Sequence, residues 1–231
     1  MNVQRIFCIG KNYREHIAEM APVEARARST GGTLRARPAA PVRRAPAPVD
    51  ASDFVVFMKP ATCIVREREP IRLPLNRGAV HHEAELVVLL TGGGAEIPEH
   101  VALDYVAGLT LGLDLTLRDL QTELKSKNRP WELAKSFDCA APLGDFKPYI
   151  EQELQDIEFT CRVNGEVRQR GHTGDMLYSV ARQIHLLSQT WVLMPGDAIY
   201  TGTPAGVGPL KSGDHVAVES TVIGRFEWRC Q

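Results

Sequence analysis

The chain has 231 residues, 27 Lys plus Arg against 28 Asp plus Glu, a formal charge of -1 and 44% hydrophobic residues. That is the composition of a globular protein able to bury one sizeable core, and its near-neutrality excludes a global electrostatic drive toward nucleic acid or anionic membranes. No run reaches the roughly 18 apolar residues of a membrane span, charges fall where a signal peptide is apolar, and five cysteines without C-x-x-C spacing suit reduced thiols, so a cytoplasmic protein is expected.

Residues 3–9 are strand-like and end at Gly10, after which Asn12 is placed to cap a short helix from Tyr13 to Met20. Residues 22–52 then break the pattern, with Pro22, Pro38, Pro41, Pro46 and Pro48 among Arg26, Arg28, Arg35, Arg37, Arg43 and Arg44. Low hydrophobicity and repeated prolines predict a flexible Arg/Ala/Pro-rich insertion within a single domain covering 1–231. Residues 54–58 and 85–90 read as buried strands, the second running into a hairpin turn at Gly92-Gly93-Gly94. After an apolar stretch at 104–115, Leu117, Leu120 and Leu124 predict a helix from Thr116, with Lys125 and Lys127 suiting its C-terminal end. Ile157, Phe159, Cys161 and Val163 alternate with polar residues, and Asn164-Gly165 supplies a two-residue hairpin turn. Leu177, Val180, Ile184 and Leu187 return to helical spacing, and strand-like runs at 198–200, 216–219 and 225–229 close the chain. The class is α+β with a mixed, curled sheet.

His81-His82-Glu83-Ala84-Glu85 leads into a strand, where side chains at i and i+2 share a face, so Glu83 and Glu85 can present two carboxylates to one hard cation. Asp114, in an otherwise apolar run, is a natural third ligand because an unpaired buried carboxylate is costly. Three carboxylates suit magnesium, manganese or calcium better than zinc. The same spacing also fits two rim charges and a helix cap at Asp114. His16 and Glu19 lie three apart, as a carboxylate-oriented general base does or as any solvated helix face does. Lys135 either stabilises a developing anion or packs its stem while its amine reaches water. Arg118 and Gln121 sit a helical turn apart and either hold a substrate carboxylate or face solvent. Thr201 to Gly208 offers hydroxyls and backbone amides to an anionic group, or is a Gly-rich connection.

Six segments occur together in order: Gly10-Lys11-Asn12-Tyr13-Arg14-Glu15-His16, Phe57-Met58-Lys59-Pro60, His81-His82-Glu83-Ala84-Glu85, Leu113-Asp114-Leu115-Thr116-Leu117-Arg118-Asp119, Pro130-Trp131-Glu132-Leu133-Ala134-Lys135-Ser136-Phe137 and Thr201-Gly202-Thr203-Pro204. Over nearly the whole chain they resemble the fumarylacetoacetate hydrolase family, in its small acylpyruvate hydrolase branch. The resemblance implies a mixed β-sheet roll with peripheral helices and a homodimer. It implies Mg2+ or Mn2+, with Ca2+ as a non-native occupant, on Glu83, Glu85 and Asp114. By the same resemblance His16 with Glu19 activates water on a lid, Lys135 stabilises the enolate-like leaving fragment, and Arg118, Gln121 and Thr203 hold oxygens of a 2-oxo acid. Hydrolysis of an acylpyruvate such as fumarylpyruvate or acetylpyruvate is the expected reaction, with oxaloacetate decarboxylation or keto–enol tautomerisation as alternatives at the same site. Family members of this size lack so long a connection as 22–52. A non-enzyme alternative makes those arginines a nucleic-acid or acidic-partner arm, whose binding would be salt-sensitive.

Overall fold

The computed structural model describes residues 2–20, 51–150 and 154–231. The expected insertion at 22–52 therefore lies outside the described residues except at its last two positions.

In chain order the elements are β1 (Arg5–Gly10), α1 (Arg14–Glu19), β2 (Val55–Pro60), β3 (Ile64–Arg66), β4 (Val80–His82), β5 (Ala84–Leu90), β6 (Val106–Leu113) and β7 (Thr116–Leu117). There follow α2 (Arg118–Ser126), α3 (Glu132–Lys135), β8 (Ala141–Leu143), β9 (Lys147–Pro148), β10 (Glu158–Val163), β11 (Glu166–His172), α4 (Val180–Ser188), β12 (Asp197–Tyr200), β13 (Gly208–Leu210), β14 (His215–Ser220) and β15 (Gly224–Arg229). The main sheet runs β2-β1-β12-β5-β6-β8-β3, with β9 on β6. Its β1–β12 and β3–β8 pairs are parallel and β5–β6 antiparallel, so the sheet is mixed as expected. Two smaller sheets, β11-β10-β14-β15 and β13-β4-β7, complete the β structure, and short helices lie outside it. Among the described residues no helix is long and apolar enough to cross a membrane.

β5 is buried at every position because both faces of the sheet are covered, which is why its sequence is a continuous apolar run rather than an alternating one. β10 alternates as the sequence predicts, and Asn164 (φ 52°) with Gly165 (φ 84°) makes the two-residue turn into β11, where both positions need positive φ. Ser179 caps α4 by accepting from the Arg182 amide at 3.1 Å.

Four local expectations are corrected. Asn12 is not a helix cap; Tyr13 holds that place without a side-chain bond. The helix expected from Thr116 starts at Arg118, because Thr116 and Leu117 pair with β4 as a strand. α4 likewise starts at Val180, leaving Leu177 outside it. Gly92 to Gly94 do not form a tight hairpin, since β5 and β6 are joined through a 3-10 segment at Glu99–Tyr105. Gly93 is required instead by close approach, a Cβ there falling 2.0 Å from the Leu193 carbonyl oxygen.

Asn12 is fully buried and ties three loops together. Its amide donates to the carbonyls of Thr201 (2.7 Å) and Tyr178 (3.1 Å), and its Oδ1 accepts from the Tyr178 amide (2.7 Å). The neighbouring Gly202 sits at φ +104°, where a Cβ would lie 2.5 Å from the Asn12 side chain. Because buried backbone groups left unpaired cost roughly 1–3 kcal/mol each, Asn12→Ala is expected to lower unfolding free energy by about 2–4 kcal/mol in urea titration. A loss under about 0.5 kcal/mol, the scale of an ordinary surface substitution, contradicts this role.

Candidate active site

The β5–β6 register assembles the acidic cluster. Ala84 faces Leu113, and one step on the Asp114 amide donates to the Glu83 carbonyl at 2.8 Å, placing Glu83 and Asp114 opposite each other. Glu85, two residues beyond Glu83, shares its face. Opposite Glu85 stands Gly112, where a Cβ would meet the Pro142 carbonyl at 2.8 Å and the Tyr200 ring at 2.9 Å. Glu83, Glu85 and Asp114 are 4%, 2% and 2% exposed, which rules out rim charges, and each offers a carboxylate oxygen within 4.8 Å of the others.

Three buried cations face them. Lys135, on α3, directs its ammonium to Glu83 Oε2 (2.8 Å), Asp114 Oδ2 (2.6 Å) and Thr116 Oγ1 (2.6 Å), so its amine does not reach water. Lys59, at the end of β2, lies 2.9 Å from Asp114 Oδ1 and donates to the Leu115 and Lys135 carbonyls. Arg118 pairs with Glu83 Oε1 and donates to Gln121 Oε1 at 2.6 Å. Arg118 and Gln121 are both buried, so neither belongs to a solvated helix face.

The carboxylates differ in their compensation. Burial opposes ionisation of Glu83, yet Lys135 and Arg118 outweigh it and hold its carboxyl well below the usual range. Burial likewise disfavours the Lys135 charge, and Asp114 and Glu83 more than restore it, pushing its pKa up. Among the described residues no cationic side chain bonds Glu85. Burial, then Asp114 and Glu83, push its carboxyl well up, against the Gly202 amide that donates to Oε2 at 2.7 Å.

The residues fit a hard divalent cation. All donors are carboxylate oxygens. Asp114 Oδ1 is buried with no hydrogen-bond partner despite its ion contact with Lys59, which approaches outside hydrogen-bond geometry. The poorly compensated Glu85 is where added positive charge stabilises most.

A cavity of about 530 Å³ opens over this floor, within the range of small-molecule sites. His16 lines it from α1, 8% exposed, with Nδ1 3.4 Å from Glu19 Oε2. Both Glu19 oxygens accept from the Gly206 amide at 3.2 Å. Burial opposes the Glu19 charge, but the hydrogen bonds from His16 and Gly206 prevail and lower its pKa. The Gly202 and Gly206 amides, expected to face an external anion, are thus engaged by the protein's own Glu85 and Glu19.

All nine predicted site residues meet at the cavity, eight lining it and Glu19 joined through His16. Two supporting residues escape sequence reasoning. Lys59 carries a signal, a lone lysine in an apolar strand, but no spacing links it to Asp114. Gln169 is one inward position of β11; its Oε1 accepts from the Ala84 amide (3.0 Å) and lies 2.9 Å from His82 Nδ1. Its Nε2 donates to Thr203 Oγ1 (2.8 Å) and the Pro204 carbonyl (3.0 Å), which settles the amide orientation and puts the proton on His82 Nδ1. Thr203 Oγ1 in turn donates to the Ala84 carbonyl at 2.9 Å.

Comparison with known proteins gives a family-model match, "Fumarylacetoacetate (FAA) hydrolase C-terminal", over residues 5–231. The mitochondrial oxaloacetate tautomerase FAHD1 of Mus musculus is 38% identical over 229 residues, 97% of this chain and 91% of the relative. The oxaloacetate tautomerase YcgM of Escherichia coli is 38% identical over 218 residues, 94% and 88% of the two chains. A crystal structure of fumarylpyruvate hydrolase from Pseudomonas aeruginosa, in complex with Mn2+ and pyruvate, superposes with a TM-score of 0.83 at 31% identity, covering 99% of this chain and 89% of that one.

Magnesium or manganese added to EDTA-stripped protein is expected to raise its melting temperature, by the equivalent of about 2.7 kcal/mol at 100 times Kd. Asp114→Asn and Glu85→Gln should each remove most of that shift; an undiminished shift in both contradicts the assignment of the cluster.

Proposed function

This chain belongs to the fumarylacetoacetate hydrolase family, and on that premise we propose that it is a divalent-metal-dependent enzyme of 2-oxo dicarboxylic acids, with keto–enol tautomerisation of oxaloacetate as its leading reaction. The observation that carries this reading is His16, an imidazole held by Glu19 over a buried floor of three carboxylates and three cations. The sequence motifs rank acylpyruvate hydrolysis first; the relatives support tautomerisation better, two of them at 38% identity bearing that name.

Glu83, Glu85 and Asp114 would hold a divalent cation, which would supply Lewis-acid stabilisation of negative charge on the 2-oxo oxygen. His16 Nε2 takes a proton from the carbon between the carbonyl and the distal carboxylate, while Nδ1–H faces the Glu19 carboxylate that stabilises the imidazolium. The imidazolium then protonates the former carbonyl oxygen, so the shift is proton-neutral and consumes no water. Lys135 has all three N–H bonds engaged and contributes charge rather than a hydrogen bond. Arg118 Nε is buried without a hydrogen-bond partner among the described residues and its other nitrogens hold Glu83 and Gln121, so the guanidinium contributes positive charge beside the Gln121 amide, the donor for a substrate oxygen. Thr203 lines the same cavity, but its hydroxyl hydrogen goes to the Ala84 carbonyl and its oxygen accepts from Gln169, so it shapes the wall rather than donating to a substrate oxygen.

Charge balance supports a dianionic substrate. With all three carboxylates ionised, Lys59, Arg118 and Lys135 neutralise them. A divalent cation would leave the floor two positive charges in excess, and Lys11, Lys125 and Arg129 line the same cavity, so a substrate with two carboxylates suits it better than a monoanion. Hydrolysis of fumarylpyruvate, also a dianion, is the second reading, favoured by the Mn2+- and pyruvate-bound structure of similar fold.

His16→Ala is expected to slow oxaloacetate enolisation, followed by enol absorbance with manganese present, by about 10²–10⁴-fold. Oxaloacetate affinity should stay within about threefold, since 1.4 kcal/mol corresponds to tenfold. An unchanged rate removes His16 as the base. Faster turnover of fumarylpyruvate than of oxaloacetate by the unaltered protein reverses the order of the two readings.

A further inference from the structure

The outer wall of the active cavity is unlike its floor. Among the described residues lining the cavity, the carboxylates are Glu83, Glu85 and Asp114 of the floor, and Lys11, Lys125 and Arg129 line it as well. Among the described residues no carboxylate pairs with any of these three cations. Lys11 and Arg129 are exposed, so water screens them. Lys125 is half-buried, with Nζ 4.7 Å from the centroid of the Trp131 ring, which holds the ammonium in a defined place. It stands seven residues after Arg118 on the same nine-residue helix, two turns along one face, so the two cations point toward the cavity in line.

A solvated lysine near a helix C-terminus needs no ligand. This one differs in lining the cavity and in being partly desolvated with no carboxylate paired to it among the described residues; burial, then Arg118, bring its pKa down to about 8 against the more distant Glu83. An anion beside it would recover the lost solvation.

Building on the proposed 2-oxo acid site, we propose that Lys125 is a specificity-determining residue that receives the distal carboxylate of the substrate, while Arg118, Gln121 and the acidic floor receive the 2-oxo acid end. The cavity thus reads both ends of a short dicarboxylate: a helix-borne cation at each end and the reacting carbon between them under His16. Lys11 and Arg129 add long-range attraction at the mouth without fixing the ligand.

The test compares oxaloacetate with its 4-ethyl ester, which keeps the 2-oxo acid end and neutralises the distal one. Binding is measured by calorimetry with manganese present, and enolisation is followed in parallel. The unaltered protein is expected to bind the diacid at least tenfold more tightly than the ester. Lys125→Met, which keeps most of the apolar stem, should bring the two within about threefold of each other by weakening diacid binding alone, and Lys125→Arg should restore the preference. Melting temperature and manganese affinity should be unchanged in both variants. Equal weakening of diacid and ester in Lys125→Met, or a diacid preference that survives it, overturns the proposal. Diacid selectivity lost with Lys125 but no enolisation in any protein would sustain Lys125 and sink the tautomerase reading; enolisation without Lys125-dependent selectivity would do the reverse.

Discussion

Glu83, Glu85 and Asp114 are buried within one small volume, and ionising even one carboxylate in such a place costs on the order of several kcal/mol unless opposite charge is fixed beside it. The rest of the site follows from that constraint. Lys59 arrives from β2 and, well along the chain, Arg118 from α2 and Lys135 from the next helix, α3, each with its charged end at the same cluster. Glu85 is the member the protein leaves under-compensated, and Asp114 Oδ1 is the oxygen it leaves without a hydrogen bond. A divalent cation would satisfy both deficits, so the fitness of the cluster for one follows from how the charges are buried.

The fold places these groups with backbone geometry. Antiparallel pairing of β5 with β6 sets Glu83 opposite Asp114, and the Gly202 turn after β12 brings a backbone amide to Glu85. A second layer holds the strand that carries the glutamates, with Gln169 linking Ala84, His82, Thr203 and Pro204. Asn12 fastens the start of the His16 segment to the loops at 178 and 201. His16 and the acidic floor are thereby attached to one framework, although His16 comes from the start of the chain and the floor from its middle.

Much of this is legible in the amino-acid sequence where the signal is local. The i, i+2 spacing of Glu83 and Glu85, the buried acid Asp114 in an apolar run, and the alternation of β10 with its Asn164-Gly165 turn all depend on neighbours in the chain. Long-range partners are not legible in that way. Asn12 has the residue type and position of a helix cap, and only the approach of Tyr178 and Thr201 turns it into a buried clamp. Thr116 and Leu117 continue a helical stripe, but pairing with β4 draws them into a strand. Gln169 is one polar residue on a strand, without meaning until β5 is beside it. For Lys135, Arg118 and His16 the sequence admits a solvated and a functional reading alike, and burial removes the solvated one.

The proposed chemistry asks little beyond this arrangement: a proton moved by His16, charge held by the floor, and a substrate whose two negative charges complete the balance. The most direct test is the rate of oxaloacetate keto–enol interconversion on EDTA-stripped protein, with and without added manganese. The account predicts slow interconversion, close to the uncatalysed rate, in the stripped protein and a large metal-dependent acceleration that Asp114→Asn abolishes. Full activity without any divalent cation, or acceleration that survives Asp114→Asn, would contradict it.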